Sequence, residues 1–372
     1  MTKCLVTNYG GVVNDDSLPR VGEFRIKQVK IDSPTSLSQA ILLYGDNIDV
    51  EIIGDAYFTD STLSDNFGKK QTNVNSKTLY ISNNDCEIAV TSKYNIVRIY
   101  FRENTNWVNY SNTPVNKTLQ LNNFKYSSKL EILRGKVMEG DLSNITSNKI
   151  KVLDIPNSDG VTGDISALKD MVSLSTLSLG NGVTGDISAL KDMVSLSTLS
   201  LGNGVTGDIS ALKDIASLSS FYLHFTQVTG DVASIKSLSS LQSCYLPNSV
   251  TGSIDSLRGI TTLNSIYCIY STLTGDISVL ANSLRTITAS KNSHFTWSHR
   301  DSTAAIISLI PSSINGSMVI DNVDKMLQDQ AQCVVPSGVT KTISVTGTRT
   351  SASDDAVATL QSKGYTVSIT PA

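Results

Sequence analysis

The twenty-two residues VTGDISALKDMVSLSTLSLGNG run from Val161 to Gly182 and again, letter for letter, from Val183 to Gly204. A single closed core needs a different side chain at nearly every inward position, so an exact duplication excludes most globular folds. It is tolerated where each copy packs against its own equivalent, as in a stack of rungs. Gly140, Gly163, Gly185, Gly207, Gly230, Gly252 and Gly275 recur at intervals of 22 or 23 residues, a fixed period that marks a solenoid. In the first exact copy the apolar positions are Val161, Ile165, Leu168, Met171, Leu174, Leu177 and Leu179. The steps of three from Ile165 to Leu174 predict a tight helical or 3-10 return, and the period-two ending at Leu177 and Leu179 predicts a short strand. One rung cannot bury enough surface to fold alone; neighbours at a strand spacing of about 4.8 Å supply the rest.

The segment LSTLSLGNGVTGDISAL resembles the leucine-rich repeat in its LxxLxL…LxGxI variety, with Val183-Thr184-Gly185-Asp186-Ile187 standing at L-x-G-x-I. Asn181 falls near the family's asparagine, in a segment one residue shorter. The resemblance covers Ile96 to Arg300 and implies a leucine-rich-repeat solenoid used as a recognition scaffold through its strand face.

Three regions follow. Residues 1–95 lack the repeat and carry strand-like runs such as FRIKQVKI, AILLYG, IDVEIIG, TLYIS and CEIAV, broken by Asn, Asp, Gly and Ser; they predict an all-β attachment domain, a sandwich. Residues 96–300 form the solenoid, with YNIVRIYF as a first irregular rung because Ile96, Ile99 and Phe101 repeat the LxxLxL spacing. Residues 301–372 alternate helical and strand patterns and predict α/β units capping the open end, the last helix starting at Ser353 or Asp354 and stopping at Gly364.

Composition narrows the function classes. Thirty basic and thirty-three acidic residues leave a net charge of −3, and no Lys/Arg cluster could neutralise a row of phosphates, so nucleic acid is not an expected partner. No stretch approaches the roughly 20 apolar residues of a membrane helix. The first residues lack the apolar core of a secretory signal, so a complete chain is expected to fold without Sec export. Five cysteines at irregular spacing do not form a disulfide framework. Cys244 and Cys268 sit two columns apart on neighbouring rungs, too far for a disulfide, and are expected as small buried residues.

No catalytic centre, metal or cofactor is expected. Asp141, Asp164, Asp186, Asp208, Asp231 and Asp276 share a column interrupted by Ser253. Each lies between a turn glycine and an inward aliphatic residue, so it is expected to face solvent and satisfy turn amides rather than bind calcium or cleave sugars. His294 and His299 lie five apart without a zinc motif, and the one further histidine is His224. The informative signal is an outward strand column reading Ser178, Ser200, Tyr222, Tyr245, Tyr267, beside a second reading Gly180, Gly202, His224, Pro247, Ile269. Tyr222, His224, Tyr245 and Tyr267 are therefore the candidate binding residues, because exposed aromatics offer flat apolar area with a polar rim. Tyrosine also favours strands and steadies its cross-strand neighbours, so a purely stabilising role stays open.

The low charge, the Ser/Thr/Asn-rich rungs and the VTGDIS units resemble leucine-rich-repeat proteins of gut Bacteroidetes and of their phages, including the crAss-like group. LPRVGEFRIK and YFTDSTLSDNFG are similar to leader domains of phage-encoded proteins. The resemblance implies a non-enzymatic structural and binding protein of a phage virion surface, in a head or tail fibre or decoration. Its N-terminal domain would hold other virion proteins, its solenoid would meet a host-surface glycan or protein, and a fibre of this kind would be trimeric. The alternatives are a bacterial cell-surface adhesin and, behind it, a polysaccharide depolymerase.

Overall fold

The computed structural model describes residues 23–31, 41–44, 48–58, 70–74, 77–92, 98–101, 105–110, 119–124, 130–135, 138–269, 271–290, 293–300, 304–311, 318–339 and 341–371. The chain divides into two compact units, Met1–Thr184 and Gly185–Ala372.

In the first unit the long strand Lys77–Ser92 runs antiparallel to Glu23–Ile31, Ile41–Tyr44 and Ile48–Phe58. Strand Arg98–Phe101, which holds Ile99 and Phe101 of the expected first rung, pairs antiparallel with Ile41–Tyr44. Ile96 and most of the two segments similar to leader domains lie outside the described residues. The pairing changes at Thr105–Tyr110, which is antiparallel to Glu23–Ile31 and parallel to Ile132–Gly135. From there the ladder is parallel through Val152–Ile155 to Thr176–Leu179.

In the second unit parallel pairing joins Thr198–Ser200, Ser220–Tyr222, Ser243–Tyr245, Ser265–Cys268 and Thr286–Ala289 in turn. It continues past the expected end of the repeats through Ser308–Pro311, Thr342–Thr346 and Thr366–Thr370. Helices α1 (Val323–Gln332) and α2 (Asp354–Ser362) provide the returns there. Ser353 precedes α2, and Gly364, at φ +87°, ends its turn.

The repeat is the core. Val183, Ile187, Leu190, Met193, Leu196, Leu199 and Leu201 are buried, and so are their equivalents one rung on, Val205, Ile209, Leu212, Ile215, Leu218, Phe221 and Leu223. The step of three is met by i to i−3 hydrogen bonds, from Lys191 N to Ser188 O (3.2 Å), Met193 N to Leu190 O (3.0 Å) and Leu196 N to Met193 O (2.9 Å). Hydroxyls tie rung to rung: Ser217 Oγ lies 2.7 Å from the carbonyls of both Val194 and Leu196, and Ser283 repeats the arrangement on Thr261 and Leu263. Thr262 does the same on Ser239 and Leu241, so at this position a serine or threonine hydroxyl supplies a donor to two carbonyls of the preceding rung.

The aspartate column caps the return. Asp141, Asp164, Asp186, Asp208, Asp231 and Asp276 each accept a hydrogen bond from the amide two residues on, at 2.7–2.9 Å. Hydrogen bonds from Ser143 and Ser166 hold Asp141 and Asp164 below the usual carboxylate range. At Asp276 burial pushes upward, but the bonds from Ser278 and Ser298 outweigh it. Ser253 makes no such cap, and the turn after it runs longer, over Ile254–Gly259.

The glycine before Asp231 serves two purposes. Gly230 sits at φ +115°, and a Cβ there would meet the Asp208 carboxylate of the preceding rung at 2.8 Å. Asp208→Ala is expected to cost about 0.5–2 kcal/mol through loss of the cap. Gly230→Ala costs more, because it adds left-handed strain to the clash. The double substitution removes the clash and should cost less than the sum of the singles in urea unfolding; strict additivity would show that aspartate and glycine do not meet.

Candidate functional site

The candidate site lies on the strand face of the second unit. Each strand turns its middle residue into the core, Leu199, Phe221, Cys244, Ile266 and Ile287, all at most 1% exposed. The flanking residues point to the other side, as strand geometry requires. One outward column reads Thr198, Ser220, Ser243, Ser265, Thr286, and the next Ser200, Tyr222, Tyr245, Tyr267, Thr288. The register expected from the repeat is thus the register found. A third column, just past the strands, reads Gly202, His224, Pro247, Ile269, Ser290.

The three tyrosines form a ladder. Tyr222 and Tyr245 have ring centroids 4.6 Å apart at 38°, and Tyr245 and Tyr267 are 4.8 Å apart at 20°. These distances match the strand spacing, so each ring lies over the next rather than spreading flat across the sheet. All three are half-buried as a result. Burial, then the neighbouring Tyr222, raises the Tyr245 phenol above its ordinary value, so its hydroxyl remains a donor at neutral pH.

His224 joins the same cluster, its ring 5.6 Å from Tyr245 and 5.5 Å, edge-on, from Tyr267. Burial lowers its pKa, which keeps the ring neutral at physiological pH. Its Nδ1 is buried and makes no hydrogen bond. The expected outward columns are only partly outward, because Ser178 in the first and Gly180, Gly202 and Pro247 in the second are buried.

Phe225 completes the patch and was not among the residues expected from sequence. It is 68% exposed, with its ring 3.9 Å from His224. The signal was present: this repeat is one residue longer, and Phe225 stands where the preceding rung has Asn203. With His224 neutral, none of the three outward columns carries a charged side chain from Thr198 to Ser290. The patch can offer aromatic area, hydroxyl donors and acceptors, and no ionic partner.

The other candidates separate. His294 Nε2 pairs with Asp321 at 3.1 Å, whereas His299 Nδ1 meets Asp329 at 3.2 Å, so the two histidines serve different carboxylates. Among the described residues no group of three or more His, Cys, Asp or Glu is placed to hold a metal ion. Cys244 and Cys268 are fully buried, and burial pushes the Cys268 thiol up to about 12, which makes both inert small core residues. Asn181 lies at the surface and donates to Asp159 at 3.1 Å.

No protein-family model matches the chain, and no curated protein sequence does. Solved structures do. An internalin from Listeria monocytogenes is 18% identical over 71% of this chain and 82% of its own, with a TM-score of 0.45. The Arabidopsis receptor kinase HAESA, solved with the peptide hormone IDA and the co-receptor SERK1, is 13% identical over 68% of this chain and 51% of its own, at 0.43. A leucine-rich-repeat protein from Leptospira interrogans is 13% identical over 60% of this chain and 64% of its own, at 0.39. Among the described residues no helix is long and apolar enough to cross a membrane.

Proposed function

We propose that this chain is a non-enzymatic recognition protein that binds its ligand through the aromatic patch of Tyr222, His224, Phe225, Tyr245 and Tyr267. The observation that carries the reading is the gathering of five aromatic rings, one of them largely exposed, on an otherwise small and polar strand face. Exposed, clustered aromatics are the groups that anchor interfaces. The outward aspartates are committed to capping backbone amides, which supports a surface that binds over one that reacts.

The finer reading is a component of a phage virion surface, attached to other virion proteins through residues 1–95, with residues 96–300 displayed toward a host-surface ligand and residues 301–372 as the cap. It rests on the resemblance of the VTGDIS rungs to phage-encoded repeat proteins. Purified particles should contain the chain in a symmetric copy number, three per fibre; recovery only in a bacterial outer-membrane fraction would reject the virion and favour an adhesin.

The site itself is tested by labelling host cells with the fluorescent chain. Changing Tyr222, Tyr245 and Tyr267 together to Ser should abolish labelling while the chain stays folded, at a stability cost of about 0.5–1.5 kcal/mol for each lost ring pair. Unchanged labelling by the folded variant assigns the ladder to strand stabilisation alone.

A further inference from the structure

Resting on the binding role proposed for the aromatic patch, we infer that its ligand is a neutral glycan, and that one sugar ring stacks on the open face of Tyr222 above Ser200 and Gly202. In the tyrosine ladder every inner ring face is covered by the neighbouring ring, since the centroids stand 4.6 and 4.8 Å apart. Stacked faces are closed to a ligand; only the two end faces remain. At one end the register partner of Tyr222 is Ser200, with Gly202 two residues on, so in these two columns the preceding rung sets only a hydroxymethyl and a glycine beside the ring. This leaves a shelf with an aromatic wall and a hydroxyl floor.

The chemistry of the surroundings selects the ligand. A pyranose ring presents an apolar C–H face and an equatorial rim of hydroxyls, which suits an aromatic wall and hydroxyl partners. The outward strand positions beside the ladder, among them Thr198, Ser220, Ser243 and Ser265, supply such hydroxyls at intervals of about 4.8 Å. An anionic polysaccharide would need cations on this face, and His224, the only titratable group in the three described columns besides the tyrosines, has its pKa lowered by burial. A protein partner would be expected to meet charged or arginine-rich rim groups, and these columns have none.

Affinity electrophoresis of the whole chain through dextran, laminarin, mannan and galactomannan, beside the anionic alginate and heparin, tests the assignment. At least one neutral polysaccharide should retard the chain. Tyr222→Ser should weaken that retention about tenfold, and Tyr222→Phe should keep it, because stacking and not the phenol oxygen holds the sugar. Retardation by the anionic polymers alone, or by none, overturns the inference, as does full retention by a folded Tyr222→Ser. On cells, labelling should be lost after periodate oxidation of surface glycans and survive protease; the reverse identifies a protein partner. A labelling that depends on the tyrosines but resists periodate sinks the glycan and leaves the patch as the site. A labelling indifferent to the tyrosines sinks the site as well.

Discussion

Replacing Asp329 with alanine is expected to lower the unfolding free energy by about 3–5 kcal/mol, the range for breaking a buried, multiply bonded charge. Its side chain is 1% exposed and accepts from Trp297 Nε1 at 2.8 Å, Arg300 N at 3.1 Å and Lys325 Nζ at 2.8 Å. The first donor is a core indole and the second a buried backbone amide, and neither can turn to water when the acceptor is lost. Asp329→Asn keeps acceptor atoms and gives up the charge, so it should cost less than the alanine change. Urea unfolding followed by tryptophan fluorescence reads both; a loss below about 1 kcal/mol for alanine would show that the cluster adds little.

The same carboxylate sets a pH dependence. Burial pushes its pKa up, but the bonds from Lys325 and Trp297 together with the Arg300 amide outweigh that, and the folded value lies below the ordinary one. A depressed folded pKa stabilises above the unfolded value of about 3.9, and that stability is lost as pH falls through the folded value. Acid unfolding should therefore begin at higher pH in a protein that lacks this group's hydrogen bonds, as in Trp297→Phe, than in the native chain.

Phe221→Ala should cost a comparable amount, about 3–5 kcal/mol, by leaving a cavity in a closed core. Phe221 is fully buried, and its register partners in the core column are Leu199 before it and Cys244 after it. A large residue beside a small one keeps the filled volume near that of the leucine pair in the duplicated rungs. Cys244→Leu alone should overpack the column and cost about 1–3 kcal/mol. Phe221→Leu with Cys244→Leu restores the volume of two consensus leucines, and its cost should fall below the sum of the singles by more than about 0.5 kcal/mol. Additive costs would mean that the two side chains do not share one space.

Much of this was legible before any coordinates, for a reason peculiar to stacks. Packing in a solenoid is between nearest equivalents, so aligning the repeats on glycine already sets Tyr222 beside Tyr245 and Tyr245 beside Tyr267, and turns Val183, Ile187 and Leu190 inward. The capping role of the aspartates followed from the same logic, because the recurring glycine, aspartate and aliphatic residue, broken only at Ser253, leave the carboxylate the next turn's amides. Phe225 was missed because it lies just past the strand columns, in a loop one residue longer than that of the preceding rung, where strand alternation no longer fixes which side chain faces outward.

The sequence by itself determined what repeats: the period, the inward and outward columns and the strand register, all properties of short segments facing their own copies. Only the tertiary structure decided what does not repeat. The change from antiparallel to parallel pairing at Thr105–Tyr110, the convergence of Trp297, Arg300 and Lys325 on Asp329, and the closing of the inner tyrosine faces by their neighbours arise from unlike groups brought together or from ring angles. Such contacts leave no period to read, because each is made once and its geometry is set by the packing around it.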